Sequence, residues 1–591
     1  MKFLLVAVNA KYIHSNPAIY SLRAFAGEEM QPYIELAEYT INQSLTEILA
    51  DIYKRKPDAI GFSCYIWNWR MIRELLPELQ KVLPETDVWL GGPEVTYDAD
   101  AILKKYPNLC GIIIGEGEET FRELLFAYLQ GKPWKDIAGL CLPEGYTAVR
   151  SLTDMNKLPF LYHDLKPFTN KIIYYETSRG CPYRCSYCLS SIDKAVRLRD
   201  ISVVKRELQF FLNNKVAQVK FVDRTFNCNH EHAMAIWQYL YEHDNGVTNF
   251  HFEISADILR EDEISLLNKL RPGQTQLEIG VQSTNEETIR AIHRVMNVDK
   301  LEQIVASIHK GHNIHQHLDL IAGLPYEDYE SFGHSFDRVY AMKPEQLQLG
   351  FLKVLKGSEM SERAEEFGIR YLEEPPYEVL YTRWLPYPDV LRLKQIEEMV
   401  ELYYNSNQFT HTLPFLVRAF PGPFAMFEAL ADFYAREGFF TNSPARAYRY
   451  QVLLRFAEET DGQNVAIYRE LLTYDLYLRE NAKSRPDFAV DYTGNEAVRK
   501  SLRNFYRQEA QERKYLLDYA GYDSRQLSKM THMEPFSYPV WDERFLNGSQ
   551  TVQESAKPAA YVLFDYKNRD PLTYEARTVR FSEDSLRENC G

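Results

Sequence analysis

The feature that most constrains the fold of this chain is a repeated alternation of short apolar runs with amphipathic stretches. Within residues 1–130, segments with helical periodicity separate five apolar runs of strand length. These runs read KFLLVAV, YIELAEY, AIGFSC, DVWLGG and GIIIG. Because strands joined by helical crossovers form parallel sheets, we predict an α/β fold that begins with a Rossmann-like, doubly wound sheet. Ligands of such sheets bind beyond the carboxyl ends of the strands.

A second alternation follows and contains six further strand-like runs. They read KIIYYETS, QVKFVD, NFHFEIS, QLEIG, IHQHLDLIAGL and QLQLGF, with helical segments between them. Such a parallel array predicts a partial (βα)6 barrel, with its active face at the carboxyl ends of the strands. From about Glu365 the apolar period becomes helical, and the chain finishes with the strand-like runs AAYVLFDY and ARTVRF.

The 591 residues are too many for a single hydrophobic core. We therefore predict a Rossmann-like domain over residues 1–145, a linker over 146–170, the partial barrel over 171–364 and a mainly helical C-terminal domain over 365–591. This last domain is expected to cover the substrate.

Charge and cysteine usage limit the function classes and the cellular compartment. The net charge of -15 disfavours a broad nucleic-acid surface, and no run of about 18 apolar residues predicts a membrane span. The N-terminal MKFLLVAVNA lacks a signal-peptide cleavage site and is predicted to be a buried strand. Five cysteines without a pairing rhythm indicate reduced thiols and a cytoplasmic protein: Cys64, Cys110, Cys141, Cys228 and Cys590.

Three further cysteines, Cys181, Cys185 and Cys188, lie close together in the segment SRGCPYRCSYC. A structural zinc site needs four ligands, and no fourth Cys or His lies nearby in the sequence. An iron-sulfur cluster accepts three thiolates and can leave one iron open for a substrate or cofactor. The spacing therefore favours a cluster over a zinc knuckle.

With the strand that precedes it, CPYRCSYC resembles the radical S-adenosylmethionine enzymes. The later segments FVDRTFN, FEISAD, LEIGVQSTN and DLIAGLP resemble that family in order and position. The resemblance implies a 4Fe-4S cluster whose open iron binds the methionyl amine and carboxylate of S-adenosylmethionine. One electron then cleaves the sulfonium to methionine and a 5′-deoxyadenosyl radical.

The same resemblance implies contacts to S-adenosylmethionine from Tyr187, Glu253, Ser255, Glu278, Gly280, Gln282 and Ser283. For each polar residue the alternative is a solvated strand end. Arg197, with Arg199 beside it, is a further candidate because a guanidinium fork suits the methionyl carboxylate. The alternative for these arginines is a solvated charge at a helix start.

A Rossmann-like sheet in front of such a barrel resembles the cobalamin-binding class, whereas the first turn, NAKYIHSNP, lacks the glycines of a dinucleotide site. GGPEVT and IIIGEGEETFRELL also resemble that class, although tight turns need glycine anyway. The residues that the resemblance assigns to cobalamin are Asn9, Ser15, Ser63, Tyr65, Trp67, Asn68, Gly91, Gly92, Pro93, Glu94, Val95, Gly115, Glu116, Gly117 and Glu118.

The D-x-H-x-x-G element that supplies a lower histidine ligand in mutase-type domains is absent here. His14 lies in a different frame and is expected to face solvent. We therefore predict base-off cobalamin without a protein histidine ligand. Tyr65 or Trp67 would cover the lower face of the cobalt, and the alternative is that Trp67 merely packs.

The two implied centres predict methylation of an unactivated carbon through methylcobalamin, with an external electron donor such as flavodoxin or ferredoxin. The alternatives are a non-methylating radical oxidation, cyclisation or rearrangement, and a non-catalytic sensor of cobalamin or of a cluster. A small molecule, a lipid-like molecule or a peptide is expected as substrate rather than a large nucleic acid. The residues predicted to line its site are Tyr377, Tyr381, Arg383 and Trp384, and no catalytic residue is assigned.

Overall fold

The computed structural model describes residues 1–492, 494–550, 558–582 and 586; Cys590 lies outside them. The chain forms two compact units. The first comprises residues 1–314, 321–328 and 350–387, and the second comprises residues 315–320, 329–349 and 388–591.

The N-terminal part of the first unit is built on a seven-stranded sheet with the order β2-β1-β3-β4-β5-β6-β7. The first five of these strands pair in parallel, and the last two pair antiparallel. The strands are β1 (Phe3–Asn9), β2 (Ile34–Thr40), β3 (Ala59–Ser63), β4 (Asp87–Gly91), β5 (Leu109–Ile113), β6 (Leu140–Leu142) and β7 (Gly145–Tyr146). The helices are α1 (Pro17–Phe25), α2 (Leu45–Arg55), α3 (Trp69–Val82), α4 (Pro93–Thr96), α5 (Ala99–Lys105) and α6 (Glu118–Gln130). The predicted Rossmann-like parallel sheet is confirmed.

Apolar clusters on both faces of this sheet explain why its strands read as continuous apolar runs. Every residue of β1 is buried. Helix α2 begins with a capping box, in which Ser44 Oγ accepts from the Glu47 N–H at 3.3 Å and Glu47 accepts from the Ser44 N–H at 3.1 Å.

A second sheet of six strands has the sequential order β15-β14-β13-β12-β11-β8, which fits the predicted partial barrel. An antiparallel ribbon of two short strands lies between its first two strands in the sequence. In chain order the strands are β8 (Ile173–Tyr175), the ribbon strands β9 (Ser178–Arg179) and β10 (Arg197–Leu198), β11 (Gln218–Phe221), β12 (Asn249–Ile254), β13 (Thr275–Gln282), β14 (Ile314–Ala322) and β15 (Gln346–Phe351). The helices of this part are α7 (Ile201–Asn213), α8 (His230–Glu242), α9 (Glu261–Leu267), α10 (Glu286–Ala291), α11 (Val298–His309), α12 (Tyr329–Ala341) and α13 (Glu359–Glu362).

Strand β13 shows how the sequence directs side chains to the two faces of this sheet. Burial alternates strictly along its eight residues, TQLEIGVQ. Since successive side chains of a strand point to opposite faces, Leu277, Ile279 and Val281 are buried on one face. Glu278 and Gln282 share the other face, so the polar residues of this strand are brought to one side.

The last segment of the first unit, residues 350–387, carries a short antiparallel pair, β16 (Arg370–Tyr371) and β17 (Val379–Tyr381). Val379 and Phe367 pack there against Ile292 and Leu324.

The second unit is mainly helical and includes a three-stranded antiparallel sheet in the order β18-β19-β20. Its remaining helices are α14 (Tyr387–Met399), α15 (Thr412–Leu416), α16 (Pro423–Arg436), α17 (Arg449–Thr460), α18 (Val465–Arg479), α19 (Glu496–Glu512), α20 (Ser524–Met530) and α21 (Glu543–Leu546). The strands are β18 (Thr531–Phe536), β19 (Ala560–Arg569) and β20 (Ala576–Phe581). The two predicted terminal strands are thus present, and β18 was not predicted. Among the helices that the structure describes, none is both long and apolar enough to cross a membrane.

Candidate functional site

Cys181, Cys185 and Cys188 lie in the loop that follows β9, and all three are free thiols. The Cys181 N–H donates to the carbonyl of Asp193 at 3.1 Å, and the Cys188 N–H donates to the carbonyl of Cys185 at 3.1 Å. Before them, Gly180 has φ 90°, and a Cβ added there would lie 2.4 Å from the Ala195 carbonyl oxygen. The loop thus needs glycine at position 180, and the three thiols that it carries are the donor set of a cluster with one open iron.

Arg294 is a residue of this site that the sequence analysis missed. Its Nη1 lies 3.9 Å from Cys185 Sγ and 3.4 Å from the Tyr187 hydroxyl oxygen, and its Nη2 donates to the carbonyl of Gly280. Its buried Nε has no hydrogen-bond partner within the part of the chain that the structure describes. Arg294 follows α10, and no spacing in the sequence relates it to the cysteines. It brings a guanidinium beside the cluster loop.

Gln282 and Gly280, two of the predicted contacts to S-adenosylmethionine, lie on the same side of β13 and are close to Arg294. Gln282 has φ 71°, a strained value for a residue with a side chain, and its buried Oε1 has no hydrogen-bond partner among the described residues. A Cβ at Gly280 would lie 2.3 Å from Gln282 Nε2. The pair therefore presents a buried acceptor that a polar ligand could satisfy.

Ser283 and Glu278 already have protein partners. The Ser283 hydroxyl donates to Glu327 Oε1 at 2.6 Å. Glu278 Oε2 lies 3.0 Å from both Lys220 Nζ and His251 Nε2. Burial by itself would raise the pKa of Glu278, but the hydrogen bond with His251 and the charge of Lys220 together lower this pKa to about 2.

The remaining predicted contacts to S-adenosylmethionine lie around β12 and the cysteine loop. Ser255 Oγ donates to Asp257 at 2.9 Å and accepts from the Tyr183 hydroxyl at 3.3 Å. Glu253 faces Glu278 across β12 and β13 in the strand register. The Tyr187 hydroxyl lies beside Arg294, and burial raises its pKa.

The two arginines proposed for the methionyl carboxylate are engaged elsewhere. Arg197 Nη2 lies 2.6 Å from Glu116 Oε1 and 2.9 Å from Asp193 Oδ2. Arg199 is buried, and its Nη1 lies 2.7 Å from Glu207 Oε2. Arg294, by contrast, contacts a cysteine of this loop, Cys185.

A cavity of about 320 Å³ opens at the rim of the N-terminal sheet, where predicted cobalamin contacts gather. Gly92 has φ 112°, and a Cβ there would lie 2.4 Å from the Cys64 carbonyl oxygen. Gly115 has φ 74° and faces open space. Phe3 and Leu5 help to form apolar walls deeper in the domain. The predicted residues that line this cavity are Ser63, Tyr65, Gly91, Gly92, Pro93, Gly115, Glu116, Gly117 and Glu118. A cavity with glycine turns at its rim and apolar walls below them has the form expected for the predicted cobalamin, which is a flat macrocycle with a tail.

A larger cavity of about 690 Å³ lies between the N-terminal sheet and the first barrel strands. It is lined by the predicted residues Asn9, Ser15, Tyr65, Trp67 and Glu118, together with Arg179 and Gly180 from the start of the cysteine loop. The rings of Tyr65 and Trp67 stack with centroids 4.4 Å apart and planes 8° apart. Trp67 donates from Nε1 to the Val8 carbonyl at 3.1 Å and remains 42% exposed.

His14 also lines the larger cavity, so the expectation that it faces solvent was wrong. Its Nδ1 lies 2.5 Å from the hydroxyl oxygen of Tyr174 on β8. Burial lowers the pKa of His14, which favours the neutral imidazole. The Ile172 N–H also donates to the carbonyl of Ile13, so the loop after β1 lies directly against the barrel.

Three predicted cobalamin contacts line neither cavity. Asn68 is buried and donates from Nδ2 to the carbonyls of Val8 and Ser63. Val95 is part of the apolar core. Glu94 accepts a hydrogen bond from the Tyr377 hydroxyl, which also ties Tyr377 to the N-terminal domain.

The other three predicted substrate residues are placed apart from both cavities as well. Tyr381 is exposed. Arg383 donates to the Glu366 carbonyl at 2.6 Å, and its guanidinium lies 5.6 Å from the centroid of the Trp384 ring. Trp384 packs on Tyr326 with ring centroids 4.4 Å apart.

Three family models match successive parts of the chain. Residues 4–125 match the B12 binding domain, residues 175–339 match the Radical SAM superfamily, and residues 365–564 match a family described as a protein of unknown function, DUF4080.

Two curated relatives are methyltransferases by name. The cobalamin-dependent radical SAM methyltransferase TokK of Streptomyces tokunonensis is 26% identical over 54% of this chain and 51% of its own length. The 2-(S-pantetheinyl)-carbapenam-3-carboxylate methyltransferase of Streptantibioticus cattleyicolor is 26% identical over 60% of this chain and 55% of its own length. The chain thus spans about half the length of the curated relatives it matches.

Among solved structures, the cobalamin-dependent S-adenosylmethionine radical enzyme OxsB with aqua-cobalamin bound is similar with a TM-score of 0.56 and 14% identity. The similarity covers 80% of each chain and shows a shared fold.

Proposed function

This chain belongs to the cobalamin-binding radical S-adenosylmethionine enzymes, and on that premise we propose that it methylates an unactivated carbon of its substrate. Its two matched domains imply cobalamin, a 4Fe-4S cluster and S-adenosylmethionine as cofactors. The observation that carries the proposal is the 690 Å³ cavity, because residues of the predicted cobalamin rim and of the cysteine loop line it together. When bound, S-adenosylmethionine at the cluster supplies the hydrogen-abstracting group and cobalamin supplies the methyl group.

Within the proposal, Cys181, Cys185 and Cys188 hold the cluster. Arg294 takes the role proposed for Arg197 and binds the methionyl carboxylate, because its guanidinium lies against Cys185 and carries a buried Nε without a hydrogen-bond partner among the described residues. The Gln282 Oε1 accepts a hydrogen bond from the same cofactor, which would satisfy its buried oxygen.

The base-off state of cobalamin remains a proposal. The 320 Å³ cavity supports it, because a displaced nucleotide base needs an apolar slot next to the corrin. Trp67 is proposed to cover the lower face of the cobalt, since its exposed, stacked ring borders the larger cavity. His14 is proposed not to bind cobalt, because it does not stand in the D-x-H-x-x-G element that carries the lower ligand of mutase-type domains.

A small molecule is the proposed substrate class. The name of one relative describes a small carbapenam carboxylate as that enzyme's substrate. The net charge of -15 also disfavours a large nucleic acid. The proposed electron donor is a flavodoxin or ferredoxin, and the proposed compartment is the cytoplasm, where thiols stay reduced.

The experiment is anaerobic turnover of reconstituted enzyme with S-adenosylmethionine that carries a trideuterated methyl group, in a metabolite extract with a reductant. Methylation predicts S-adenosylhomocysteine, 5′-deoxyadenosine and a product in which the labelled methyl replaces hydrogen. Deoxyadenosine without labelled product would favour non-methylating radical chemistry. Neither nucleoside product would favour a sensor. Cys185→Ala should abolish deoxyadenosine formation, whereas the matched control Cys110→Ala, at a cysteine outside the cluster loop, should not.

A further inference from the structure

Two arginines link the cysteine loop to the glutamates of the cobalamin rim. The glutamates are Glu116, in the turn after β5, and Glu118, the first residue of α6. The arginines are Arg179 and Arg197, which belong to the two strands of the β9–β10 ribbon that flanks the cysteines. All four side chains are mostly buried, with exposed fractions of 7–19%.

The first bridge starts two residues before Cys181. Arg179 Nη2 and Nη1 lie 2.6 and 3.3 Å from the two carboxylate oxygens of Glu118. Its Nε lies 3.0 Å from each oxygen of Glu176, which comes just after β8. Glu118 Oε1 also accepts from the Ser21 hydroxyl at 3.1 Å. The guanidinium is therefore held on two sides.

The second bridge reaches Cys181 through Asp193. The Asp193 carbonyl accepts from the Cys181 N–H, and its carboxylate lies 2.9 Å from Arg197 Nη2. Arg197 Nη2 and Nη1 lie 2.6 and 3.2 Å from the two oxygens of Glu116. The Thr153 N–H donates to Glu116 at 2.7 Å, and the Thr153 carbonyl accepts from Arg197 at 2.6 Å. Glu116 is thus held by Arg197 and Thr153, just as Glu118 is held by Arg179 and Ser21.

Buried ion pairs of this kind are poor evidence for stability, because desolvation offsets their attraction. Their two-pronged geometry nevertheless fixes distance and direction, because both hydrogen bonds of a guanidinium fork must be satisfied together. Glu116 lies between Gly115 and Gly117, which line the predicted corrin cavity. Moving the glutamates therefore moves the wall of that cavity relative to the cysteines.

From this geometry we propose that Arg179 and Arg197 are positioning residues that set the separation of bound cobalamin and cluster. The inference rests on the cofactors of the proposed function. A fixed separation lets the carbon that loses hydrogen at one centre meet the methyl group at the other. Displacements of about 1 Å in such arrangements cost on the order of 10²-fold in rate.

The primary test measures the magnetic interaction between the cobalt(II) corrin and the reduced cluster in the full-length holoenzyme. Electron paramagnetic resonance reports it as line splitting and enhanced relaxation, and it needs no substrate. Glu116→Gln with Glu118→Gln should weaken and broaden this interaction at unchanged iron and cobalt content. Arg179→Lys keeps the charge but loses the fork, and it should give an intermediate effect. Arg179→Lys also provides the test of the proposal if the double variant does not fold.

Hydrogen exchange provides a readout that does not depend on the cofactors. In the cofactor-free full chain, amides of residues 115–118 should exchange faster in the glutamine variants than in the wild type. The matched control is Glu74→Gln, which removes an exposed ion pair with Arg70 in the same domain. That variant should match the wild type in both measurements.

During turnover the variants should release about tenfold more 5′-deoxyadenosine per methylated product. An unchanged magnetic interaction in the folded double variant, or in Arg179→Lys if the double variant does not fold, would overturn the positioning role. A wild type with strong magnetic interaction but no S-adenosylhomocysteine would instead count against methyl transfer. The two proposals can therefore fail separately.

Discussion

Arg294 and Cys185 lie against each other, with Nη1 of the arginine 3.9 Å from the sulfur of the cysteine. The two residues are far apart in the sequence, and Arg294 lies in the segment between α10, which ends at Ala291, and α11. Arg294 also holds the Gly280 carbonyl, so it links the cysteine loop to β13. In the proposed function, Arg294 rather than Arg197 therefore provides the guanidinium for the methionyl carboxylate.

Replacing Arg294 should weaken the binding of S-adenosylmethionine. We expect Arg294→Met to raise the dissociation constant by about 10- to 100-fold, because a charge-assisted hydrogen bond contributes about 1.5–3 kcal/mol. Isothermal titration of the reconstituted enzyme checks this, with iron content measured in parallel. Arg290→Met, at an exposed position on α10, is the matched control. An unchanged affinity with full iron content would contradict the assignment.

The lower face of the cobalt should show no protein nitrogen ligand. Electron paramagnetic resonance of the cobalt(II) protein should lack nitrogen superhyperfine splitting, and His14→Ala should leave the spectrum unchanged. Trp67→Ala should alter the cobalt spectrum, because it removes the ring proposed to keep water from that face. Nitrogen splitting that disappears in His14→Ala would show that His14 binds cobalt and would refute the prediction.

Gly92 should tolerate no side chain. Gly92→Ala combines a positive φ with a Cβ only 2.4 Å from the Cys64 carbonyl oxygen. Gly27→Ala is the matched control, since Gly27 has φ 87° and open space around it. Urea unfolding should therefore show a cost for Gly92→Ala that exceeds the control by at least about 2 kcal/mol, the range of steric overpacking. Cobalamin affinity should fall in the Gly92 variant alone.

Glu278 should stabilise the fold in a pH-dependent way. Its pKa falls from the ordinary value of 4.5 to about 2, so its contribution is present above pH 4.5 and is lost as the pH falls towards 2. The free energy of unfolding of the wild type should drop between pH 6 and pH 3.5 by about 1 kcal/mol more than that of Glu278→Gln. Urea titrations at the two pH values measure this difference. Parallel pH profiles would mean that Lys220 and His251 do not hold this carboxylate in its charged form.

Several features followed from the sequence by itself because they depend on local periodicity. The five parallel strands of the first sheet, the six strands of the second, the order of the two domains and the glycine turns at Gly92 and Gly115 are properties of short segments. Strands β6 and β7 of the first sheet were not predicted. The family resemblance grouped Glu278, Gly280 and Gln282, and the alternation of side chains along β13 explains why they share a face. The three cysteines fall within eight residues and define their own loop.

Only the tertiary structure decided which charges meet. Arg197 could have faced a cofactor from its place in the sequence, yet it lies against Glu116, which is 81 residues away. His14 reaches Tyr174 across 160 residues, and Arg294 reaches Cys185 across 109. Local sequence patterns cannot specify such pairs, because the packing of distant segments determines which polar side chains come within reach of each other. The free-energy cost of leaving a buried charge unpaired then favours the pairs that form.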